Sequence, residues 1–267
     1  MSVYTDVIRY RELFGSLFRR DLRAKYKGSV LGLAWTLALP LLLMLVYLMV
    51  FSVLWKAQPT EAVDDYWLFL LCGLPPWVFF ATSLQSSARS LLENASLIRK
   101  VRFPRQVVPL SMVATQVVAF AVMLGVALVL SLVVLDDTRG SVWLSIPIAV
   151  VIVLFVGGAS LAVSSLNAVL RDVEFIVTAL LLPWFFLTPI LYRISDLPGV
   201  ETHPWLGDLL RWGNPMTPVV EAFRAPLFAG ELPSASVSAY LLVETVVALV
   251  LGALVFRSVD DRIAAEA

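Results

Sequence analysis

The chain has 267 residues, of which 60% are hydrophobic and only 15% charged, and its mean hydropathy is +0.87. Soluble domains carry about 25% charged residues, so this composition excludes an ordinary soluble protein and predicts an integral membrane protein. The formal net charge is zero and gives no indication of a binding partner, while the one cysteine, Cys72, excludes an intrachain disulfide.

The first 29 residues form a basic amphipathic segment. Apolar side chains recur there at helical spacing, and seven arginines and lysines occupy other positions. A helix with this pattern lies in the membrane surface, with its cations among anionic headgroups. We therefore expect residues 1–29 to form an interface helix that leads directly into the first membrane passage.

Six apolar runs are each predicted to form a membrane-spanning helix, because about 20 apolar residues cross a bilayer. The predicted passages are residues 30–55, residues 66–88, a segment within 106–135, a segment within 141–170, residues 175–192 and residues 237–256. We expect Gly73, Pro75 and Pro76 to interrupt the second passage. The predicted fold class is an all-α membrane protein. Residues 1–267 form one transmembrane domain, in which residues 30–192 hold the first five helices.

The distribution of positive charge predicts the orientation. Fifteen of the 20 lysines and arginines lie in residues 1–29, in the connectors at residues 89–105 and Arg171, and in the tail at residues 257–267. The remaining five lie in the connectors on the other side of the membrane. Because cytoplasmic loops are enriched in lysine and arginine, both termini are expected in the cytoplasm.

Two connectors are predicted to be structured. On the cytoplasmic side, apolar residues from Leu91 to Val101 repeat at helical spacing before Pro104, which predicts a short helix between the second and third passages. On the outer side, residues 193–233 contain two apolar segments that are too short to cross. Backbone at membrane depth must form hydrogen bonds within itself or be buried in protein. These segments are therefore expected to form two short re-entrant helices.

The sequence contains none of the motifs GxxxxGK(S/T), HExxH, CxxC or GxSxG. No enzyme activity, metal site or bound cofactor is therefore expected on this chain. Glu244, inside the sixth passage, is unusual because a carboxylate in a membrane segment is costly. It could be a proton or cation site, it could make a polar contact to the re-entrant helices or to a dimer partner, or it could lie high enough to reach the outer headgroups.

Six aromatic side chains lie deeper in the predicted passages than an interfacial aromatic belt would. Two interpretations remain open: the rings pack in the core and against lipid, or they form a row on which sugars stack during transport. The six are Trp77, Phe79, Phe80, Trp184, Phe185 and Phe186.

Five segments, in the same order along the chain, resemble the membrane subunit of the ABC-2 type polysaccharide exporters, the Wzm/TagG-like permeases. Residues 19–41 (RRDLRAKYKGSVLGLAWTLALPL) resemble the family's entrance helix and first span, and residues 94–110 (NASLIRKVRFPRQVVPL) its coupling segment. Residues 166–176 (LNAVLRDVEFI) resemble its second cytoplasmic turn and residues 185–192 (FFLTPILY) the end of its fifth span. Residues 214–224 (NPMTPVVEAFR) resemble its outer re-entrant pair.

The resemblance implies a homodimer of six-helix subunits in the bacterial plasma (inner) membrane, among membrane lipids. It implies a channel for a polyprenyl-diphosphate-linked glycan such as O-antigen or teichoic acid, with no nucleic acid as a partner. It also implies two copies of a separate nucleotide-binding ATPase subunit, which would bind ATP and Mg²⁺.

Three groups of residues receive roles. The residues expected to couple the chain to the ATPase are Leu91, Asn94, Leu97, Ile98, Arg99, Lys100, Arg102 and Phe103. The expected cargo entrance consists of Arg19, Arg20, Arg23, Lys25 and Lys27, because basic side chains hold phosphate well. Lipid headgroups and ordinary membrane topology also account for these cations. The expected outer gate consists of Asn214, Pro215, Met216 and Glu221.

Other functions also remain open. One is an ABC-2 permease for a drug or small lipid, and another is a proton-coupled carrier that uses Glu244. An intramembrane enzyme acting on lipid-linked sugar would need paired acids or a histidine cluster at one membrane face, and the sequence offers no convincing candidate.

Overall fold

The computed structural model describes residues 4–28, 65–101 and 103–266, together with isolated positions between residues 34 and 50. All regular secondary structure in these residues is helical. The α-helices are α1 (Thr5–Arg9), α2 (Arg11–Tyr26), α3 (Tyr66–Glu93), α4 (Ala95–Lys100), α5 (Val107–Val134), α6 (Ser145–Val169), α7 (Asp172–Leu187), α8 (Pro198–Thr202), α9 (Pro204–Trp212), α10 (Met216–Arg224) and α11 (Ala235–Glu266). Short 3₁₀ or π-helical turns lie at Asp136–Thr138, Val142–Leu144, Ile194–Asp196 and Ala225–Ala229.

Within the described residues, four helices are long and apolar enough to cross a membrane, and they confirm the predicted all-α membrane-spanning protein. They are Tyr66–Glu93, Val107–Val134, Val142–Val169 and Ala235–Asp260, at the predicted second, third, fourth and sixth passages.

The first and fifth predicted passages are not among these four membrane-spanning helices. The first, residues 30–55, lies outside the described residues apart from the isolated positions. At the fifth passage, α7 has only 16 residues, which is fewer than the about 20 that span a bilayer. The chain continues from Thr188 to Tyr192 without helical structure.

Helix α3 lies at the centre of the bundle. In its apolar stretch 78% of the residues are buried, compared with 22% in α5 and in α11, and it packs against α5, α6, α7 and α10. The prediction that Gly73, Pro75 and Pro76 interrupt this passage is wrong, because the helix continues from Tyr66 to Glu93. Proline removes a backbone N–H, but membrane helices tolerate this loss where neighbouring helices surround them.

Helices α6 and α11 form the most extensive helix pair. A Cβ atom at Gly158 would lie 2.5 Å from the carbonyl carbon of Ala248, and a Cβ atom at Gly252 would lie 2.3 Å from the carbonyl oxygen of Gly158. Small residues therefore let the two backbones touch, as is common in membrane bundles.

The shorter helices lie at opposite ends of the bundle. Helices α1, α2 and α4 lie at one end, beyond Glu93, and we call this the basal end. Helix α10 packs near the start of α3, α9 packs against α10, and α8 packs against α9; we call this the hairpin end. At 1.5 Å per residue, the 28 residues of α3 extend about 42 Å between the two ends.

The predicted connector helix from Leu91 to Val101 is divided in two. Leu91 belongs to the last turn of α3, and only Ala95–Lys100 form the separate helix α4. Asn94 stands between them and its Nδ2 donates to the carbonyl oxygen of Ser90 at 2.9 Å. Such a local side-chain bond offers the backbone an alternative to a continuing helix.

Candidate functional site

Apolar side chains from five helices meet at the basal end. Those with the least exposure are Leu17 from α2, Leu91 from α3, Val107 and Val108 from α5, Leu161 and Ala168 from α6, and Phe256 from α11. Three half-buried residues of the predicted coupling segment, Leu97, Ile98 and Phe103, pack against the same cluster. The amphipathic helix α2 and the short helix α4 are therefore anchored to one shared core.

A partly buried polar contact joins α2 to the junction of α3 and α4. Arg20 Nη2 donates to Asn94 Oδ1 at 2.7 Å, and Asn94 is only 5% exposed. Both ends of the Asn94 amide are thus used, because its nitrogen already donates to Ser90. A hydrogen bond to a charged group contributes about 1.5–3 kcal/mol, so this contact fixes α4 relative to α2.

Two further contacts tie the start of α5 to its neighbours. Gln106 Nε2 donates to Asp6 Oδ2 in α1 at 2.8 Å. Arg105 Nη1 lies 2.8 Å from Asp260 Oδ1 near the end of α11. The N-terminal and C-terminal helices therefore both contact the segment that follows α4.

The outward face of α4 is cationic. Arg99 and Lys100 are exposed at its C-terminal end, whereas Leu97 and Ile98 pack inward. Arg102 lies outside the described residues. An apolar inner face with a charged outer face fits a helix that is fixed to its own chain and accessible to another molecule.

A second connector is tied to α3 through residues that the sequence did not single out. Asn167 is fully buried, its Nδ2 donates to the carbonyl oxygen of Ala88 at 2.8 Å, and its Oδ1 accepts from the backbone N–H of Glu174. Arg89 Nε lies 2.6 Å from Glu174 Oε1. The sequence signal for this contact was the polar amide of Asn167 at the end of an apolar helix, but its partner Ala88 is 79 positions away.

The cations of α2 separate into two groups. An open groove of about 960 Å³ is lined by Ser16, Arg19, Arg20, Arg23, Ala24 and Lys27. Lys25 is not among these residues, and its Nζ donates to Gln116 Oε1 of α5 at 2.7 Å. Partial burial lowers the pKa of Lys25. The structure thus brings four of the five predicted entrance residues together and gives Lys25 a contact with the bundle.

At the hairpin end, Asn214 connects the α9–α10 turn to the end of α7. Its Oδ1 accepts from Trp184 Nε1 at 2.7 Å and from the backbone N–H of Met216 at 3.0 Å. Its Nδ2 donates to the carbonyl oxygen of Leu187 and to Thr188 Oγ1, both at 3.1 Å. A side-chain amide has two acceptor and two donor positions, so Asn214 is fully used.

Arg224, at the end of α10, is buried, although its position in the sequence predicted only a cation in an outer connector. It is 8% exposed, and its Nη1 and Nη2 donate to the carbonyl oxygens of Pro189 and Ile190, each at 2.9 Å. Its guanidinium carbon lies 3.6 Å from the ring centroid of Phe69. A Cβ atom at Gly73 would lie 2.1 Å from Arg224 Nη2, so glycine leaves room for the guanidinium.

The other predicted gate residues differ in burial. Met216 is fully buried, whereas Pro215 and Glu221 are partly buried. Burial raises the pKa of Glu221, while the charges of Arg211 and Arg224 act in the opposite direction.

The predicted channel aromatics lie mostly inside the protomer. Four are buried, namely Trp77, Phe79, Phe80 and Phe185, while Trp184 is partly buried and Phe186 is 51% exposed. The Phe79 ring stacks on Phe120 with centroids 4.8 Å apart, and the Phe80 ring meets Trp184 edge-on at 5.2 Å. These contacts favour core packing for the four buried rings, and a role in lining a channel stays a prediction.

Glu244 has no partner within the described residues. It is partly buried in α11, and neither carboxylate oxygen accepts a hydrogen bond there. The structure therefore supplies no internal cation for this carboxylate.

Comparisons with known proteins agree over nearly the whole chain. Residues 12–228 match the model of the family described as "ABC-2 type transporter". The chain is 33% identical over 260 residues to the O-antigen export system permease protein RfbA of Myxococcus xanthus, covering 97% of this chain and 96% of that protein. It is 32% identical over 255 residues to a protein of the same name from Klebsiella pneumoniae, covering 95% and 94%. It is 23% identical over 253 residues to the polysialic acid transport protein KpsM of Escherichia coli, covering 92% and 93%.

Proposed function

This chain belongs to the ABC-2 type transporter family, and on that premise we propose that it is the channel-forming membrane subunit of an ATP-driven polysaccharide exporter. The observation that carries the proposal is the 33% identity to an O-antigen export permease over 97% of the chain. The proposed cargo is a lipid-linked cell-envelope glycan of the O-antigen or teichoic acid kind. Within the described residues, no group of three or more His, Cys, Asp or Glu side chains could hold a metal ion.

We propose six passages, with the basal end in the cytoplasm. Arg20 contacts Asn94 at the end of α3, whereas Tyr66 begins α3 at the other end of the bundle. This separation supports a first passage in the chain between Arg20 and Tyr66. Helix α7 starts near Arg89 and ends near Asn214, which supports a fifth passage completed by the chain beyond Thr188. The excess of positive charge at the basal end supports a cytoplasmic location for both termini.

The proposed coupling surface is the basal end, with α4 at its centre. Two copies of a separate ATPase subunit would bind ATP and Mg²⁺ and would press on this surface. The shared apolar cluster supports this role, because it links α4 to α2, α3, α5, α6 and α11. Packed interiors transmit displacement because they are close to incompressible. Arg99 and Lys100 would contact the ATPase directly.

We also propose a homodimer with the channel between the subunits. Helix α7 supports this arrangement, since only Leu181 and Phe185 of its residues are buried within the protomer. Phe175 and Leu182 are 69% and 66% exposed. A second copy and lipid are the two environments that such an apolar face can occupy in a membrane.

The groove on α2 is the proposed cargo entrance. Arg19, Arg23 and Lys27 line it together with Arg20, and guanidinium groups bind phosphate through paired hydrogen bonds. A diphosphate that links glycan to polyprenol has the charge and shape for this groove.

Co-purification tests the proposal. The tagged chain, extracted in a mild detergent, should retain a stoichiometric soluble subunit with a phosphate-loop motif and with ATPase activity. Cells without the chain should accumulate lipid-linked glycan on the cytoplasmic side, and restoring the gene should clear it. Recovery of the chain without an ATPase would contradict the exporter function. Normal glycan display in its absence would favour a drug or small-lipid substrate instead.

A further inference from the structure

A cavity at the hairpin end contains more positive charge than its own carboxylates neutralise. Its volume is about 450 Å³, and its lining includes three arginines from separate elements: Arg193 before the turn Ile194–Asp196, Arg211 in α9 and Arg224 in α10. Phe69 and Arg224 form its buried side. Arg193 is exposed, so the cavity is accessible from the surface.

Two of the guanidinium groups converge on one aromatic ring. The guanidinium carbon of Arg224 lies 3.6 Å from the Phe69 centroid, and that of Arg193 lies 5.8 Å from the same centroid. Burial lowers the pKa of Arg224 to about 10; the charge of Glu221 acts in the opposite direction, and the charge of Arg193 adds a smaller lowering. The two like charges therefore oppose each other, and a shared anion would relieve this repulsion.

The cavity lining also holds two carboxylates, Glu221 and Glu231, and neither forms an ion pair with Arg193 or Arg224. Among the described residues, neither Arg193 nor Arg224 has a carboxylate oxygen within 4.0 Å. Arg211 Nε lies 3.9 Å from Glu221 Oε1, which is too long for a hydrogen bond. That buried nitrogen has no other partner in the described part of the chain. The cavity therefore holds guanidinium donors that remain available.

The donor geometry indicates which anion fits. Arg224 uses one hydrogen from each terminal nitrogen on Pro189 and Ile190, and each terminal nitrogen carries a second hydrogen. Guanidinium groups bind the oxygens of a phosphate in pairs, in a planar geometry that a lysine cannot supply. Three such groups around one cavity match the several oxygens of a phosphate.

We propose that Arg193, Arg211 and Arg224 form a binding site for a phosphate group at the hairpin end. The phosphate belongs either to a phospholipid headgroup or to the cargo. This site is separate from the cationic groove on α2, about one helix length away, and does not depend on the proposed exporter function.

Binding of two probes to the full-length chain in neutral detergent tests the site. The probes are inorganic pyrophosphate, measured by calorimetric titration, and phosphatidylglycerol, measured by native mass spectrometry against phosphatidylcholine. The double substitution Arg193→Gln and Arg211→Gln should weaken binding at one site by about tenfold or more, since each removes a charge-assisted contact. Glu221→Gln should strengthen binding, because it removes a competing carboxylate.

Arg139→Gln is the matched control. Arg139 is an exposed arginine that pairs with Asp136 at 2.7 Å and lies outside the cavity lining, and its substitution removes one positive charge, where the double variant removes two. The control keeps the groove on α2 and should bind as the wild type does. If phosphatidylglycerol displaces bound pyrophosphate, the ligand of the site is a lipid headgroup. If pyrophosphate stays bound, the ligand is a phosphate of the cargo. Equal affinities of the wild type and the double variant, or binding of neither probe by the wild type, would overturn the proposal. The assay requires no ATP, so a negative result leaves the exporter proposal intact.

Discussion

The close approach of α6 and α11 predicts a cost for adding one methyl group. In Gly158→Ala the new Cβ atom would lie 2.5 Å from the carbonyl carbon of Ala248. Because that atom belongs to backbone, a side-chain rotation cannot relieve the clash. The helices must separate by the difference between 2.5 Å and the ordinary contact distance of 3.4 Å, about 0.9 Å.

The expected loss follows from two opposing effects. Overpacking costs about 1–3 kcal/mol, and replacing glycine by alanine within a helix returns about 0.5–1 kcal/mol. The net destabilisation of Gly158→Ala is therefore about 0–2.5 kcal/mol, with a central value of about 1 kcal/mol. For a chain of this size, each kcal/mol lowers the melting temperature by about 2–4 °C, which thermal unfolding in detergent resolves.

Gly125→Ala is the matched control, because no atom of the described residues lies within 4 Å of a Cβ atom at that position in α5. It should leave stability unchanged or raise it by about 0.5–1 kcal/mol. Gly252→Ala should destabilise like Gly158→Ala. The double variant should lose less than the two losses combined, because one separation relieves both contacts. A melting temperature of Gly158→Ala at or above that of the wild type would refute the reasoning.

Three further predictions concern function. Reversing the charges of Arg99 and Lys100 should abolish export, measured as glycan display, while the amount of protein in the membrane stays unchanged. A double-mutant cycle of Arg20→Ala and Asn94→Ala should give a coupling energy of about 1.5–3 kcal/mol in unfolding experiments, because the hydrogen bond between them is charge-assisted. Glu244→Gln should export glycan at the wild-type rate, because the proposed energy source is ATP and the described residues give this carboxylate no partner.

Each of these has a result that would count against it. Arg139→Glu, which reverses one charge at the hairpin end, should leave export normal; the same loss there as at α4 would remove the coupling assignment. A coupling energy near zero would mean that Arg20 and Asn94 contribute independently. Loss of export in Glu244→Gln without loss of stability would favour a proton-coupled carrier.

The sequence predicted the parts of this fold that depend on hydrophobic length. The second, third, fourth and sixth passages, the amphipathic start and the two helices around Asn214 all follow from apolar runs and their spacing. The expected break at Pro75 was wrong, because whether a helix tolerates proline depends on its neighbours rather than on its own residues. The division of the connector at Asn94 was missed for a different reason, since a local amide bond set that boundary and apolar periodicity does not report it.

The candidate sites were less predictable than the fold. Arg224 and Phe69 are 155 positions apart, and the sequence gives no sign that a cation in an outer connector stacks on the first turn of α3. Asn167 and Ala88 are likewise joined across 79 positions. These contacts depend on how the helices are arranged, and periodicity reports only the face of a single helix.

All four hydrogen-bonding positions of the Asn214 amide are occupied, and this makes release of the α9–α10 turn an all-or-none event. Its four hydrogen bonds, to Trp184, Met216, Leu187 and Thr188, share one small planar group. A shift of the turn by about 1 Å away from α7 would stretch the three bonds to Trp184, Leu187 and Thr188 together, whereas Met216 belongs to the turn and moves with it. At about 0.5–1.5 kcal/mol each, these three bonds favour the seated position by roughly 1.5–4.5 kcal/mol. The α9–α10 turn is therefore either bonded to the end of α7 or separated from it, and any opening that involves this turn occurs in one cooperative step.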